Sequence, residues 1–349
     1  MTVKEVFELR KQGKIEEAYE AIRPMYAVHQ GKYTTLCMFW TASDILKKRI
    51  KEKRLDEAEK IFKALQRVLP NIDDKDGKAR SSVLHAAVAL SKEDRNFSLL
   101  DFVEHLKLEQ LGSEDWKTVV APAVAGQPSH PIPSVAQQLL TGVFHELQEQ
   151  QYGDFMTKKA PLSHDEVLAS ALKVMPLLQE AMRRNPHDKH NQRYMAVVYT
   201  IMGEREKAIA IYRQLLKWSH DSYLYAELAE LTDEPGPKAA LYCLAIQNQR
   251  QEKFRTGYRL ELARMLIDRD KSRTAYELQK CADTRKALGF SIPRDMEQML
   301  AQLAGVQPVT DADQQNFYRS MVAKYFFLVR NAMTYIKVRK IIRPLRSPC

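Results

Sequence analysis

Glycine is scarce in this chain, with 12 among 349 residues. Neither GxxxxGK[ST] nor GxGxxG occurs, so nothing in the sequence cradles a nucleotide phosphate. The four cysteines, Cys37, Cys243, Cys281 and Cys349, stand singly without a CxxC pair. That spacing points away from a disulfide framework or a zinc knuckle and toward buried, reduced thiols. No apolar run approaches the roughly 18 residues of a membrane span. The opening MTVKEVFELRKQGKIEEAYE mixes acids and bases where a secretory signal would carry an apolar run. A cytoplasmic location is the expectation. GxSxG is absent as well, and no histidine stands beside a serine or cysteine in a recognised nucleophile motif. Neither enzymatic activity nor a cofactor is expected.

What is present favours helices. Hydrophobic residues make up 45% and charged residues 28%, an ordinary globular balance. The abundant Ala, Leu, Glu, Lys and Gln lose little rotamer freedom in a helix. An all-α fold follows. The net charge of +10 is unevenly placed: after Asp313 there is no acid, while Arg319, Lys324, Arg330, Lys337, Arg339, Lys340, Arg343 and Arg346 supply eight cations.

Short phrases recur along the chain. GEREKAIAIYRQLL at 203–216 and KEKRLDEAEKIFKALQ at 51–66 share a charged turn, an alanine and an aromatic four residues later. Tyr199, Gly203, Ala208, Tyr212 and Leu215 form the clearest unit, and His220 stands 34 residues after Pro186. Leu55, Ala58, Phe62, Leu65 and Pro70 repeat the second half, as do Gly13, Ile15, Ala18 and Ile22 nearer the start, and Ala263, Leu266, Ala275 and Ala282 later. Residues 223–247 read as a further unit whose internal turn holds Pro235-Gly236-Pro237. A period of 34 residues with small and aromatic residues at these positions resembles the tetratricopeptide repeat family. The resemblance implies a helical-hairpin solenoid in which small residues such as Ala196 and Ala208 allow close helix approach. More weakly, EDWKTVV and IPSVAQQLLTGVFHELQ ahead of such units resemble bacterial helical-repeat proteins associated with conflict systems.

Residues 112–135 carry four prolines and two glycines and break the helical rhythm. The expected organisation is therefore N-terminal helical repeats over 1–111, a Pro/Gly-rich connection over 112–135, a main array over 136–290 and C-terminal capping helices with a basic tail over 291–349. Ser134 is the expected cap of the helix after the connection, Ser291 and Pro293 open a short helix, and a last long helix starts near Asp311.

Two stretches mimic metal sites. In NIDDKDG, placing Gly77 at the sixth position of a calcium loop puts Ile72 first and Val83 twelfth, where carboxylates are required. His187 and His190 have no clear third ligand. No metal is expected.

The expected function is recognition. A solenoid exposes first-helix residues along an inner surface suited to a peptide or a partner helix. Asn191, Arg193, Tyr194 and Thr200 are the candidate groove residues, and Ala58, Phe62, Ala196, Tyr199, Gly203, Ala208, Tyr212, Ala263 and Ala275 the candidate repeat-packing residues. The alternative is a nucleic-acid-associated accessory protein that uses Arg330, Lys337, Arg339 and Lys340 as a basic patch. The stripe Tyr318, Met321, Tyr325 and Val329 is expected to pack onto the helices of 271–304.

Overall fold

A computed structural model describes residues 1–106, 111–121, 130–153 and 160–330, with side chains to 325 in the last helix. Sixteen α-helices carry nearly all of the regular structure among them. No helix of the described residues is long and apolar enough to cross a membrane. The chain divides into two compact units, 1–186 and 187–349. The boundary falls at Pro186, so the array expected over 136–290 is split and its first two helices belong with the N-terminal unit.

The first unit contains α1 (Val3–Lys11), α2 (Ile15–Val28), α3 (Lys32–Lys51), α4 (Leu55–Val68), α5 (Lys78–Glu93), α6 (Leu99–Glu104), α7 (Val135–Tyr152) and α8 (His164–Arg184). Local chemistry sets several starts. Thr2 with Glu5 and Ser163 with Glu166 form reciprocal capping boxes on α1 and α8. Ser134 caps α7 by accepting from the Gln137 N–H at 3.1 Å, as its position after Pro133 predicted. Hairpins α1/α2 and α3/α4 are tied by Arg49, which is 7% exposed and donates to both Glu16 oxygens at 2.5 and 2.7 Å and to Glu57 at 3.0 Å.

The described residues of the 112–135 connection include regular structure. They hold a short 3-10 turn, Glu114–Trp116, and a two-stranded antiparallel ribbon of β1 (Val119–Ala121) and β2 (His130–Ile132). NIDDKDG serves as a helix entry: Asp74 accepts from the N–H groups of Ala79 and Arg80, both at 2.9 Å.

The second unit runs through α9 (Lys189–Ile201), α10 (Arg205–Leu215), α11 (Ser222–Glu230), α12 (Pro235–Asn248), α13 (Glu252–Leu266), α14 (Lys271–Ala287), α15 (Arg294–Gln302) and α16 (Asp311–Arg330). α9/α10, α11/α12 and α13/α14 are antiparallel pairs joined by short turns, and α10 meets α11 as α12 meets α13. In the first turn Gly203 has φ +74, a left-handed conformation that costs a residue with a Cβ about 1 kcal/mol or more. Pro235-Gly236-Pro237 is not the internal turn expected. It is the first turn of α12, where Pro235 loses no hydrogen bond because the first N–H groups of a helix have no partner within it.

Small residues sit where helices meet: Ala196, Ala208 and Ala263 are fully buried, with Tyr212 and Tyr242 filling the space between pairs. In the second unit Ala275 is at 9% exposure and Tyr199 packs half-buried against the core, and in the first unit Ala58 and Phe62 are likewise buried.

The last helix departs from expectation. α16 lies chiefly along α12, with Tyr318 buried in the α9–α13 core and Met321 and Val322 packed against it. Gly236 makes this possible, since a Cβ there would overlap the Tyr325 ring. α14 meets α16 mainly through polar and cationic groups. Val329 lies outside the described side chains.

Candidate functional site

Three first helices of successive pairs, α9, α11 and α13, share a polar and aromatic face. Arg193 on α9 donates from Nε and Nη2 to the Glu227 carboxylate on α11, at 3.0 and 2.5 Å. Its guanidinium carbon lies 4.6 Å from the centre of the Tyr223 ring. Burial alone would lower the Arg193 pKa, and Glu227 more than offsets this, so the side chain is held above its usual value. Tyr223 donates to Asp221 at 2.8 Å, and Asp221 also accepts from Lys189 at 2.6 Å and Ser219 at 2.9 Å. Burial raises the Asp221 carboxyl, but these donors outweigh it and leave its pKa lowered. Tyr258 on α13 is half-buried beside Ser222, and burial pushes its hydroxyl pKa up. The face is thus a fixed guanidinium stacked on an aromatic, flanked by hydroxyls and carboxylates already oriented by their neighbours.

Of the four expected groove residues, Arg193 alone joins this arrangement. Asn191 is 2% exposed near the start of α9, where its N–H donates to the cap Asp188 at 2.8 Å. Tyr194 is 6% exposed, on the inward side of the helix. Thr200 spends its hydroxyl on the Ala196 carbonyl at 3.0 Å. Of the expected basic patch, Lys337, Arg339, Lys340 and the Arg330 side chain lie outside the described residues.

A buried ionic cluster escaped the sequence reading. Arg259 on α13, 3% exposed, donates from Nη1 to Glu277 on α14 at 2.7 Å and to the Tyr318 hydroxyl of α16 at 2.9 Å, and from Nε to Glu252 at 2.7 Å. The fully buried Glu277 also accepts from Gln314 at 2.5 Å and from Tyr318. Burial is the largest influence on the Glu277 carboxyl and raises it, with Arg259, Tyr318 and Gln314 pulling the other way. The signal was available for one partner only: Arg259 with Leu262, Ala263 and Leu266 follows helical spacing, which places its charge on the apolar stripe of α13, whereas Glu277 has Arg273, Thr274, Lys280 and Cys281 three and four residues away.

In the first unit a cleft of about 510 Å³ opens beside α5 and α7, lined in part by Lys92, Phe97, His145 and Glu146. Glu146 is already engaged there, accepting from the N–H groups of Leu99 and Leu100 at 2.7 and 3.1 Å and from Ser98 Oγ at 3.0 Å. It anchors the start of α6. Among the described residues no group of three or more His, Cys, Asp or Glu could hold a metal ion. Cys37, Cys243 and Cys281 are buried free thiols, and burial pushes the Cys281 thiol up to about 12, far from the thiolate form that reacts.

The face and the ionic cluster both fall inside one stretch of recognisable sequence. Residues 191–324 match a family described as a domain of unknown function, DUF7017. The match begins in α9 and ends in α16, so it takes in all three helix pairs and the cluster that holds α16. No tetratricopeptide family matches the chain, and this corrects the resemblance drawn from the recurring phrases and, with it, the weaker one to conflict-system repeat proteins. The physical reason is that an alanine facing a neighbouring helix, an aromatic four residues on and a turn glycine are what any tightly packed antiparallel helix pair needs. Such a pattern reports helix pairs of similar length and carries no family identity. The search of curated proteins found no match.

Proposed function

We propose that the second unit is a protein-recognition module without enzymatic activity: a short solenoid of the pairs α9/α10, α11/α12 and α13/α14 whose first-helix face receives an extended peptide or a partner helix. The observation that carries this reading is the Arg193, Tyr223 and Glu227 arrangement. Arginine and tyrosine are enriched among the residues that dominate interface energetics, tyrosine through a large rigid contact area and arginine through a planar fork of donors that also stacks on rings. Here the guanidinium is stacked and doubly hydrogen-bonded before any partner arrives, so little side-chain entropy remains to be lost on binding. Tyr223 and Tyr258 stay partly open on the same face.

The test is affinity capture from the native host with the wild-type chain and with Tyr223→Ala/Tyr258→Ala, followed by direct titration of the captured protein. The reading expects one reproducible partner whose affinity falls at least tenfold in the variant, with thermal melts checking that the variant remains folded. Equal affinity for both forms would place recognition elsewhere.

A further inference from the structure

The most exposed large apolar side chains of the second unit, among its described residues, are Trp218 at 52%, Phe254 at 53%, Leu288 at 44% and Phe290 at 47%. All four stand at one end. The helix pairs turn back at 202–204, 231–234 and 267–270, so the connections 216–221, 249–251 and 288–293 gather at the other end. Gln249, in the second connection, donates to Ser222 Oγ at 3.1 Å beside the first, and α14 runs along α13, which brings its end toward the start of α13.

The same end is basic. Lys217, Arg250, Lys253, Lys286 and Arg294 are exposed there, and no carboxylate pairs with any of them among the described residues. Nearby carboxylates are already taken: Asp221 by Lys189, Glu252 by Arg255 and Arg259, and Asp295 by Arg264. Asp283 and Glu297 are the acids of α14 and α15 that no cation pairs among the described residues. The opposite end carries Glu204, Asp233, Glu234, Asp268 and Asp270 in its three turns. One end of the unit therefore offers aromatic rings interleaved with free cations, and the other does not.

We propose that this row binds single-stranded nucleic acid, with bases stacking on Trp218, Phe254 and Phe290 and phosphates meeting Lys217, Arg250, Lys253, Lys286 and Arg294. Every base has a π-face, so a line of half-open rings beside cations recognises a flexible polyanion with little sequence preference. A duplex hides those faces within its own stack. A lipid surface suits the row less well. The Lys253 ammonium sits 4.7 Å from the centre of the Phe254 ring and the Arg285 guanidinium 6.0 Å from that of Phe290, so cations lie among the rings and there is no separate apolar face of the kind a lipid interface takes up. The row adjoins the α9, α11 and α13 face at the 216–221 connection but shares none of its residues, and it does not depend on a protein partner there.

The experiment is fluorescence anisotropy of the full chain with a labelled oligouridylate, a duplex of equal length and anionic vesicles, over a salt series. Three variants accompany the wild type: Trp218→Ala/Phe254→Ala, Lys217→Glu/Arg250→Glu/Lys286→Glu, and Lys337→Glu/Arg339→Glu/Lys340→Glu in the C-terminal segment. All substituted residues of the row are exposed, and thermal melts check that each variant remains folded. The expected result is oligouridylate binding that weakens as salt rises. The aromatic variant should lose roughly tenfold or more with an unchanged salt slope, and the charge variant should lose affinity and show a shallower slope. Absence of binding at low salt, equal binding of the duplex, or a preference for vesicles would overturn the proposal. So would binding that survives both row variants and disappears only in the third.

Discussion

Replacing Glu277 with glutamine should be among the most costly isosteric changes in the second unit. The substitution keeps the volume and removes the charge that Arg259 faces in a site where both residues are at or below 3% exposure. Removing one partner of a buried pair typically costs about 3–5 kcal/mol, because the other charge is left without compensation. Arg259 retains Glu252, which accepts from Nε at 2.7 Å, so the lower end of that range, about 3 kcal/mol, is the expectation. For a unit of this size that corresponds to roughly 6–12 °C in melting temperature. Urea unfolding measures the loss, and hydrogen exchange followed by mass spectrometry assigns it to α13, α14 and α16. Replacing the whole charged set, as Arg259→Met/Glu277→Leu/Tyr318→Phe, should recover at least half of it, since desolvating the charges is then no longer required. A Glu277→Gln protein within about 0.5 kcal/mol of wild type, the range of an ordinary surface change, would refute the argument that a desolvated ion pair holds α16. A triple variant no more stable than the single one would do the same.

Ala208→Leu inserts three carbons where α10 is fully buried and should cost about 1–3 kcal/mol in chemical denaturation; an unchanged midpoint would show that the site can expand. Ser134→Ala removes the acceptor of the Gln137 N–H and should cost about 1 kcal/mol, with Ser134→Gly closer to wild type. Glu16 is held down to about 2, first by its hydrogen bonds from Arg49 and then by Lys48. Because its folded value lies below its unfolded one, its stabilising contribution is complete above the ordinary carboxylate range and is lost as the pH falls from there toward 2. Glu16→Gln should therefore flatten the acid limb of the stability profile, and since Glu16 is 42% exposed, its cost at neutral pH should be only about 1 kcal/mol and should shrink with added salt.

The sequence by itself determined where several helices begin, which faces of most are apolar and that the fold is helical, because those features depend on residues three or four apart. Ser134 reaches an N–H three residues away, and Gly203 allows a turn that its immediate neighbours require; both were readable without any distant contact. The residues of the helix pairs were also legible as pairs, although their spacing misled as to family, since the packing needs of one helix against another are shared by many unrelated folds. Tertiary structure decided the rest. The unit boundary at Pro186, the position of α16 along α12 and the burial of Asn191 and Tyr194 all depend on which of several apolar stripes meet. Local periodicity leaves that choice open. Arg259, Glu277 and Tyr318 come from three helices separated by up to 59 residues, and only their packing converts three ordinary polar side chains into a desolvated cluster. Trp218, Phe254 and Phe290 are likewise far apart in the chain, and they share one edge because each ends or opens a helix at the same end of its pair.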